Sequence, residues 1–159
     1  VRFAQLQAMI AEDRKRRFQG EESAMMGMSP ESHDTKELTS WPFPHVYAGF
    51  KAIQAKEAPR HEHRNTIHST EMLLQYVVKP YAQRITELPV MMTLAHADNI
   101  TSADLEVETF NAIASPNKTF ASVMGVDHMS LYTNREHLGK VGRVQQKWLK
   151  EQLAAMAQT

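Results

Sequence analysis

Two short apolar runs separated by one helical stretch limit most tightly what this chain can fold into. Pro89 to Ala95 is short and apolar, and it opens with a proline, which suits a first strand position. Lys118 to Met124 is a second run, with Phe120 and Val123 as its bulky members. Between them, Thr101-Ser102-Ala103-Asp104 reads as a helix start. That helix is expected to reach about Ala114, with Leu105, Phe110 and Ile113 inward, and to break at Ser115-Pro116-Asn117. A last helix is expected from about Asn134 to Ala157, burying Leu138, Val141, Val144, Trp148, Leu149 and Leu153, with Gly139 and Gly142 weakening its first turns. Strand, helix, strand in such short order is a βαβ unit, so the strands should be parallel and the crossover right-handed. Parallel sheets are covered on both faces and hold more than two strands. A lone pair would leave both edges unpaired, and this sequence displays no further strand to cover them.

The earlier part of the chain reads as helical and irregular. Phe3, Leu6, Met9 and Ile10 recur at steps of three and four, giving a helix that Gly20 should cap. Its basic cluster Arg14-Lys15-Arg16-Arg17 lies where cations meet the negative end of the helix dipole, and it is read as a solvated face. Glu21 to Pro44, with Gly27, Pro30, Pro42 and Pro44, is expected to be an irregular, lid-like loop. Helices are expected over His45 to Lys56 and over Ser69 to Tyr76. The second would have Ser69 as cap and Met72, Leu73 and Tyr76 toward the core, with a short turn following from Tyr81 to Ile85. The chain thus reads as one partial domain, with a helical, cap-like region over 1–86 and a βαβα segment over 87–159.

Composition excludes several classes. Eighteen basic and eighteen acidic side chains cancel, which leaves no surplus to neutralise a phosphate backbone, so no nucleic-acid partner is expected. No apolar run is long enough to span a bilayer, and no signal-peptide pattern is present, so a cytoplasmic location is expected. Without cysteine there is neither thiol catalysis nor a thiolate metal site. The chain opens at Val1 already inside a helical pattern, and its domain is expected to start upstream.

Asp98 follows the first strand and His128 follows the second. Neighbouring parallel strands end at the same side of a sheet, the rim where ligands and catalysis gather in open α/β folds. A carboxylate beside an imidazole fixes the tautomer whose other nitrogen accepts a proton, then stabilises the imidazolium that forms. Asp98 and His128 are therefore the candidate catalytic residues. His96, two before Asp98, is read as a secondary rim residue.

The stretches Leu88-Pro89-Val90-Met91-Met92, Ala97-Asp98-Asn99-Ile100-Thr101, Val126-Asp127-His128-Met129-Ser130-Leu131-Tyr132 and Trp148-Leu149 resemble the end of an α/β-hydrolase. Ala11 to Gly20 and Ser69 to Tyr76 also resemble the mid-region of its dienelactone-hydrolase-like and polyketide-transferase-like branch. The resemblance implies the C-terminal portion of that fold. It also implies a serine hydrolase acting on a small ester or thioester acyl substrate, with no cofactor and no metal. Two departures stand out. Gly125-Val126-Asp127 precedes the histidine where the family more often has small residues, and no Gly-x-Ser-x-Gly elbow occurs. The chain order serine, acid, histidine would place the elbow before Val1, and none of the serines present is taken as nucleophile. The chain alone is then expected to be inactive, and to need a complementary N-terminal half or to form a homo-oligomer.

Three other readings remain open. The chain could be a non-catalytic hydrolase remnant that oligomerises through its open sheet edge. His61-Glu62-His63-Arg64-Asn65-Thr66-Ile67-His68 invites a metal reading, although Asn65 stands where His-Glu-x-x-His needs its second histidine, and a polar, solvent-facing loop accounts for it better. Met25, Met26, Met28, Trp41, Phe43 and Tyr47 would suit an apolar substrate wall, or ordinary packing of a cap.

Overall fold

The computed structural model describes residues 2–33 and 36–157. Two units, residues 1–76 and 77–159, each build a small core of their own.

The first unit opens with helix α1, Arg2–Phe18. Gly20, at φ 87°, takes the left-handed conformation that ends it. Its N–H bonds the Arg17 carbonyl at 3.1 Å, and the Glu21 N–H bonds the Arg16 carbonyl at 3.1 Å, the paired bonds of a glycine-capped terminus. The stripe read from the sequence holds in part: Ile10 packs with Met26 and Ile67, flanked by Leu6, Met9 and Ala24, while Phe3 is 61% exposed.

Two very short strands depart from the irregular loop expected over Glu21 to Pro44. Strand β1, Met25–Gly27, pairs antiparallel with β2, Arg64–Thr66, and Gly27 also bridges Thr39. Three residues are too few to show a period-two pattern, and the partner lies some forty positions away. Between them helix α2 spans Pro44–Lys56, opened by its proline as helix starts allow.

Helix α3, Ile67–Gln75, starts before Ser69, because the Thr66 side chain accepts the Ser69 N–H and serves as cap. Its inward face also differs from expectation. Met72, Leu73 and Tyr76 are more than half exposed, while Ile67, Thr70 and Glu71 turn inward. A polar network decides this rotation. Arg14 Nε and Arg17 Nη2 reach the two Glu71 oxygens at 2.5 and 2.7 Å, and Thr70 bonds Ser40 and Asn65. Asp13, also buried, accepts from the Ala24 N–H at 2.7 Å, the Ser23 hydroxyl and Arg17. Part of the basic face read as solvated is therefore spent on two buried carboxylates.

The second unit holds α4, Lys79–Ala82, then β3, Val90–Ala95, α5, Ala103–Ala112, and β4, Lys118–Val123. The short α6, Ser130–Thr133, and the long α7, Arg135–Met156, complete it. Strands β3 and β4 are parallel and in register from Val90↔Lys118 to Ala95↔Val123, as the βαβ reading requires. Lys118 ties the crossover together, since its ammonium donates to the carbonyls of Phe110, Asn111 and Ile113 at 3.0, 3.1 and 2.7 Å. These belong to the last turn of α5 and the residue after it, where unsatisfied carbonyls and the helix dipole favour a cation.

The helices here are less buried than their apolar residues suggest. Leu105 is 62% exposed, no residue of α5 is buried, and only Ile113 beyond it reaches the core. No residue of α7 is buried either, so the buried stripe expected from Leu138 to Leu153 is not formed, although Val141 packs on the cluster of Ala95, Val123 and Val126. The reason is size. A helix of 22 residues is about 33 Å long, whereas two strands spaced about 5 Å apart cover a small part of it. No described helix is long and apolar enough to cross a membrane.

Candidate active site

Strand β3 ends at Ala95 and β4 at Val123, and the loops after them are tied through the backbone. The His96 N–H donates to the Val123 carbonyl at 3.0 Å, and the Ala97 N–H to the Val126 carbonyl at 2.9 Å. The turn out of β4 passes through Gly125, at φ 69°, a conformation that a side chain would resist. Val126 beyond it is fully buried. The two loops therefore leave one rim as a joined pair, with Asp98 on the first and His128 on the second.

The two candidate side chains meet. His128 Nδ1 lies 2.9 Å from Asp98 Oδ2, and the side chains are 16% and 5% exposed. Asp98 divides its oxygens between two duties. Oδ1 accepts the N–H groups of Ile100 and Thr101 at 2.9 and 2.8 Å, which anchors the carboxylate to the turn entering α5 and leaves Oδ2 for the imidazole. Burial works against its charge, but those two N–H groups, His128 and the Thr101 side chain outweigh it and hold the carboxyl below the usual aspartate range. An ionised carboxylate only accepts, so the hydrogen in the contact sits on His128 Nδ1 and Nε2 is the basic nitrogen of the ring. Tyr132 lies beside the imidazole, ring centroids 5.8 Å apart.

The turn that carries His128 has its own scaffold, which the sequence reading did not single out. The Ser130 N–H donates to Asp127 Oδ1 at 2.9 Å, and the Asp127 N–H donates to Ser130 Oγ at 3.1 Å, a reciprocal pair spaced three residues apart. Ser130 Oγ also lies 2.9 Å from the Asp127 carbonyl and 2.8 Å from His137 Nδ1 in the first turn of α7. The Asp-x-x-Ser spacing was the available signal, while the link to His137 depends on where α7 folds back.

The remaining candidates do not join this pair. His96 is exposed, and its Nδ1 lies 3.2 Å from Ser122 Oγ. In the first unit, His61 and His63 do not form the solvent-facing loop expected of them. Their rings pack against Phe50 and Tyr47, at 5.2 Å for Phe50–His61 and 4.6 Å for Tyr47–His63. His63 Nε2 meets Ser29 Oγ at 2.7 Å, whereas His61 Nε2 and His63 Nδ1 are buried without a hydrogen-bond partner among the described residues. Burial lowers the His63 pKa, and the neighbouring His61 and Lys51 lower it further against the opposing Ser29 carbonyl. No three His, Cys, Asp or Glu side chains come together as a metal would need among the described residues. Met26 belongs to the core, while Met25 borders an open groove of about 470 Å³ with Met9, Lys36 and Leu38.

No protein-family model matches the chain, and neither does any curated protein. Solved structures do match. The structure of DcsB in complex with its substrate analogue superposes with a TM-score of 0.71 at 15% identity, over 94% of this chain and 51% of that one. The α/β-hydrolase GrgF from Penicillium sp. sh18 gives 0.70 at 17% identity, over 96% and 50%. The monoacylglycerol lipase of Paleococcus ferrophilus gives 0.52 at 16% identity, over 89% and 51%. Identities this low speak for the backbone alone. The chain has the α/β-hydrolase fold and spans about half the length of the solved chains it matches.

Proposed function

We propose that this chain supplies the acid and the general base of a serine hydrolase that cleaves or transfers an ester or thioester acyl group. The observation that carries this reading is the 2.9 Å contact between Asp98 and His128, on loops leaving adjacent parallel strands. Asp98 holds the ring with hydrogen on Nδ1. Nε2 then takes the proton of a serine hydroxyl as the hydroxyl attacks the acyl carbon, and returns it to the leaving group as the tetrahedral intermediate collapses. The nearby carboxylate stabilises the imidazolium in between. The serine comes from sequence outside these 159 residues, at a Gly-flanked elbow preceding Asp98 in chain order. The resemblance to the dienelactone-hydrolase-like branch and the acylglycerol substrate in the name of the Paleococcus protein both support acyl chemistry.

The test is to join the chain to the polypeptide encoded in frame upstream of Val1 and assay short acyl esters and acyl thioesters. Activity is expected from the joined protein and not from the 159 residues alone. His128→Ala should lower kcat by about 10⁴-fold or more, and Asp98→Asn by about 10⁴-fold. Full activity in His128→Ala would remove the histidine from the mechanism. A second reading, a non-catalytic remnant that pairs through its sheet edges, is favoured by one observation. Val90 and His96 bond toward β4, so the alternate Met91 and Thr93 backbone groups face away from it. An upstream sequence without a Gly-flanked serine would turn the balance to that reading.

A further inference from the structure

We infer that His137 is a positioning residue for His128, acting through Ser130 and Asp127. The inference rests on the proposed role of the Asp98–His128 pair, and its chemistry starts from one hydroxyl hydrogen. Ser130 Oγ has three neighbours besides its own backbone: the Asp127 N–H at 3.1 Å, the Asp127 carbonyl at 2.9 Å and His137 Nδ1 at 2.8 Å. The N–H can only donate and the carbonyl can only accept, so the hydroxyl accepts from the first and donates to the second. It then has a lone pair left for His137, which must present hydrogen on Nδ1. Were Nδ1 bare, the hydroxyl would have to turn toward it and release the Asp127 carbonyl.

The consequence falls on His128. The Asp127 carbonyl belongs to the peptide that joins Asp127 to His128, and the Asp127 N–H belongs to the peptide before it. Ser130 thus grips both peptide planes flanking Asp127 and sets the direction in which the next side chain leaves the backbone. Ser130 is buried, so water competes poorly for these bonds. The neighbours of His128 are held as well, Val126 by full burial and Met129 by burial and by the Thr133 hydroxyl on its carbonyl. His137, in the first turn of α7, connects this turn to that helix. A shift of about 1 Å at a reacting group is enough to cost about 10²-fold in rate, and Nδ1 has 2.9 Å in which to reach Asp98.

The experiment reads the pair directly in the 159-residue chain by ¹⁵N–¹H correlation of the histidine rings. The wild-type chain should show His128 as its Nδ1–H tautomer, with a low-field proton protected from exchange. In His137→Ala that proton should exchange about tenfold faster, the factor for losing one hydrogen bond of ordinary net strength, while the backbone spectrum of β3 and β4 stays in place. His137→Asn puts an amide N–H near the position of Nδ1 and should restore protection, whereas His137→Gln carries its donor one bond too far and should not. Ser130→Ala should reproduce the His137→Ala effect, and the double variant should add little to either alone. Unchanged exchange in His137→Ala overturns the inference, as does a loss that Asn does not rescue. Should His137→Ala fail to fold, the Asn and Gln variants still decide, since equal behaviour of the two also overturns it. The readout is a proton on His128 and not turnover, so an assembled enzyme indifferent to His128 would sink the hydrolase reading and leave the link from His137 to His128 standing.

Discussion

At the residue scale, the geometry at the rim depends on one position without a side chain. Gly125 turns the chain out of β4 at φ 69°, and a Cβ there would meet nothing within 4 Å. Replacement by alanine is therefore free of clashes, and its cost is that of the left-handed backbone alone. Gly125→Ala should destabilise the second unit by about 1–2 kcal/mol, read by urea denaturation followed at Trp148. If the backbone relaxes instead, the Asp98–His128 contact should lengthen and the protected His128 proton should be lost with no change in stability. An unchanged midpoint together with an unchanged His128 proton would show that the turn has no preference for glycine. Gly125 was visible in the sequence as the first residue of Gly125-Val126-Asp127, the segment that departs from the family's small residues just before the histidine. Its positive φ could not be read from that, because a glycine in a loop says only that the conformation is permitted.

At the element scale, the βαβ unit was legible because strand length, proline and helix-start chemistry all lie within a few residues of one another. The same holds for the glycine cap of α1. What escaped were features that depend on distant partners: β1 and β2, three residues each and paired across some forty positions, and the rotation of α3 toward Arg14 and Arg17. Periodicity weighs apolar residues and cannot foresee that a buried Glu71 with two guanidinium partners outranks Met72 and Leu73. His61 and His63 were misread for the same reason, since their aromatic neighbours come from α2. Lys118 is a further case, a strand residue whose ammonium serves the helix before it. Lys118→Met keeps the stem and removes the three donated bonds, leaving the Phe110, Asn111 and Ile113 carbonyls to water. A loss of about 1–2 kcal/mol is expected, with faster amide exchange concentrated in the last turn of α5. Equal protection of that turn in the variant and the parent would show that the lysine is ornamental.

At the scale of the whole molecule, formal neutrality conceals a dependence on acid, because the resolved shifts all act in one direction. Asp13, Glu71 and Asp98 have folded pKa values below their ordinary values of 3.8, 4.5 and 3.8, and His63 lies below its ordinary 6.5. For Glu71 the Arg14 bond leads against burial, while for Asp13 burial is outweighed by the Ala24 N–H, Arg17 and Ser23. A group whose folded pKa is depressed binds fewer protons folded than unfolded, so it stabilises above the unfolded value and loses that stability as pH falls toward the folded one. The histidine should therefore act first, below about pH 6.5, and the carboxylates second, below about pH 4.5. The two tryptophans separate the contributions by location, since Trp41 lies in the first unit with His63, Asp13 and Glu71, and Trp148 lies in the second with Asp98. Urea denaturation at pH 7.5, 5.5 and 3.5, followed in Trp41→Phe and Trp148→Phe chains, should show the first loss through Trp41 alone and the second through both. His63→Gln removes the titrating ring while keeping a polar group near Ser29, and it should flatten the Trp41 profile between pH 7.5 and 5.5. A Trp41 midpoint that does not move over that interval in the parent would mean that His63 is no harder to protonate in the folded chain than in the unfolded one.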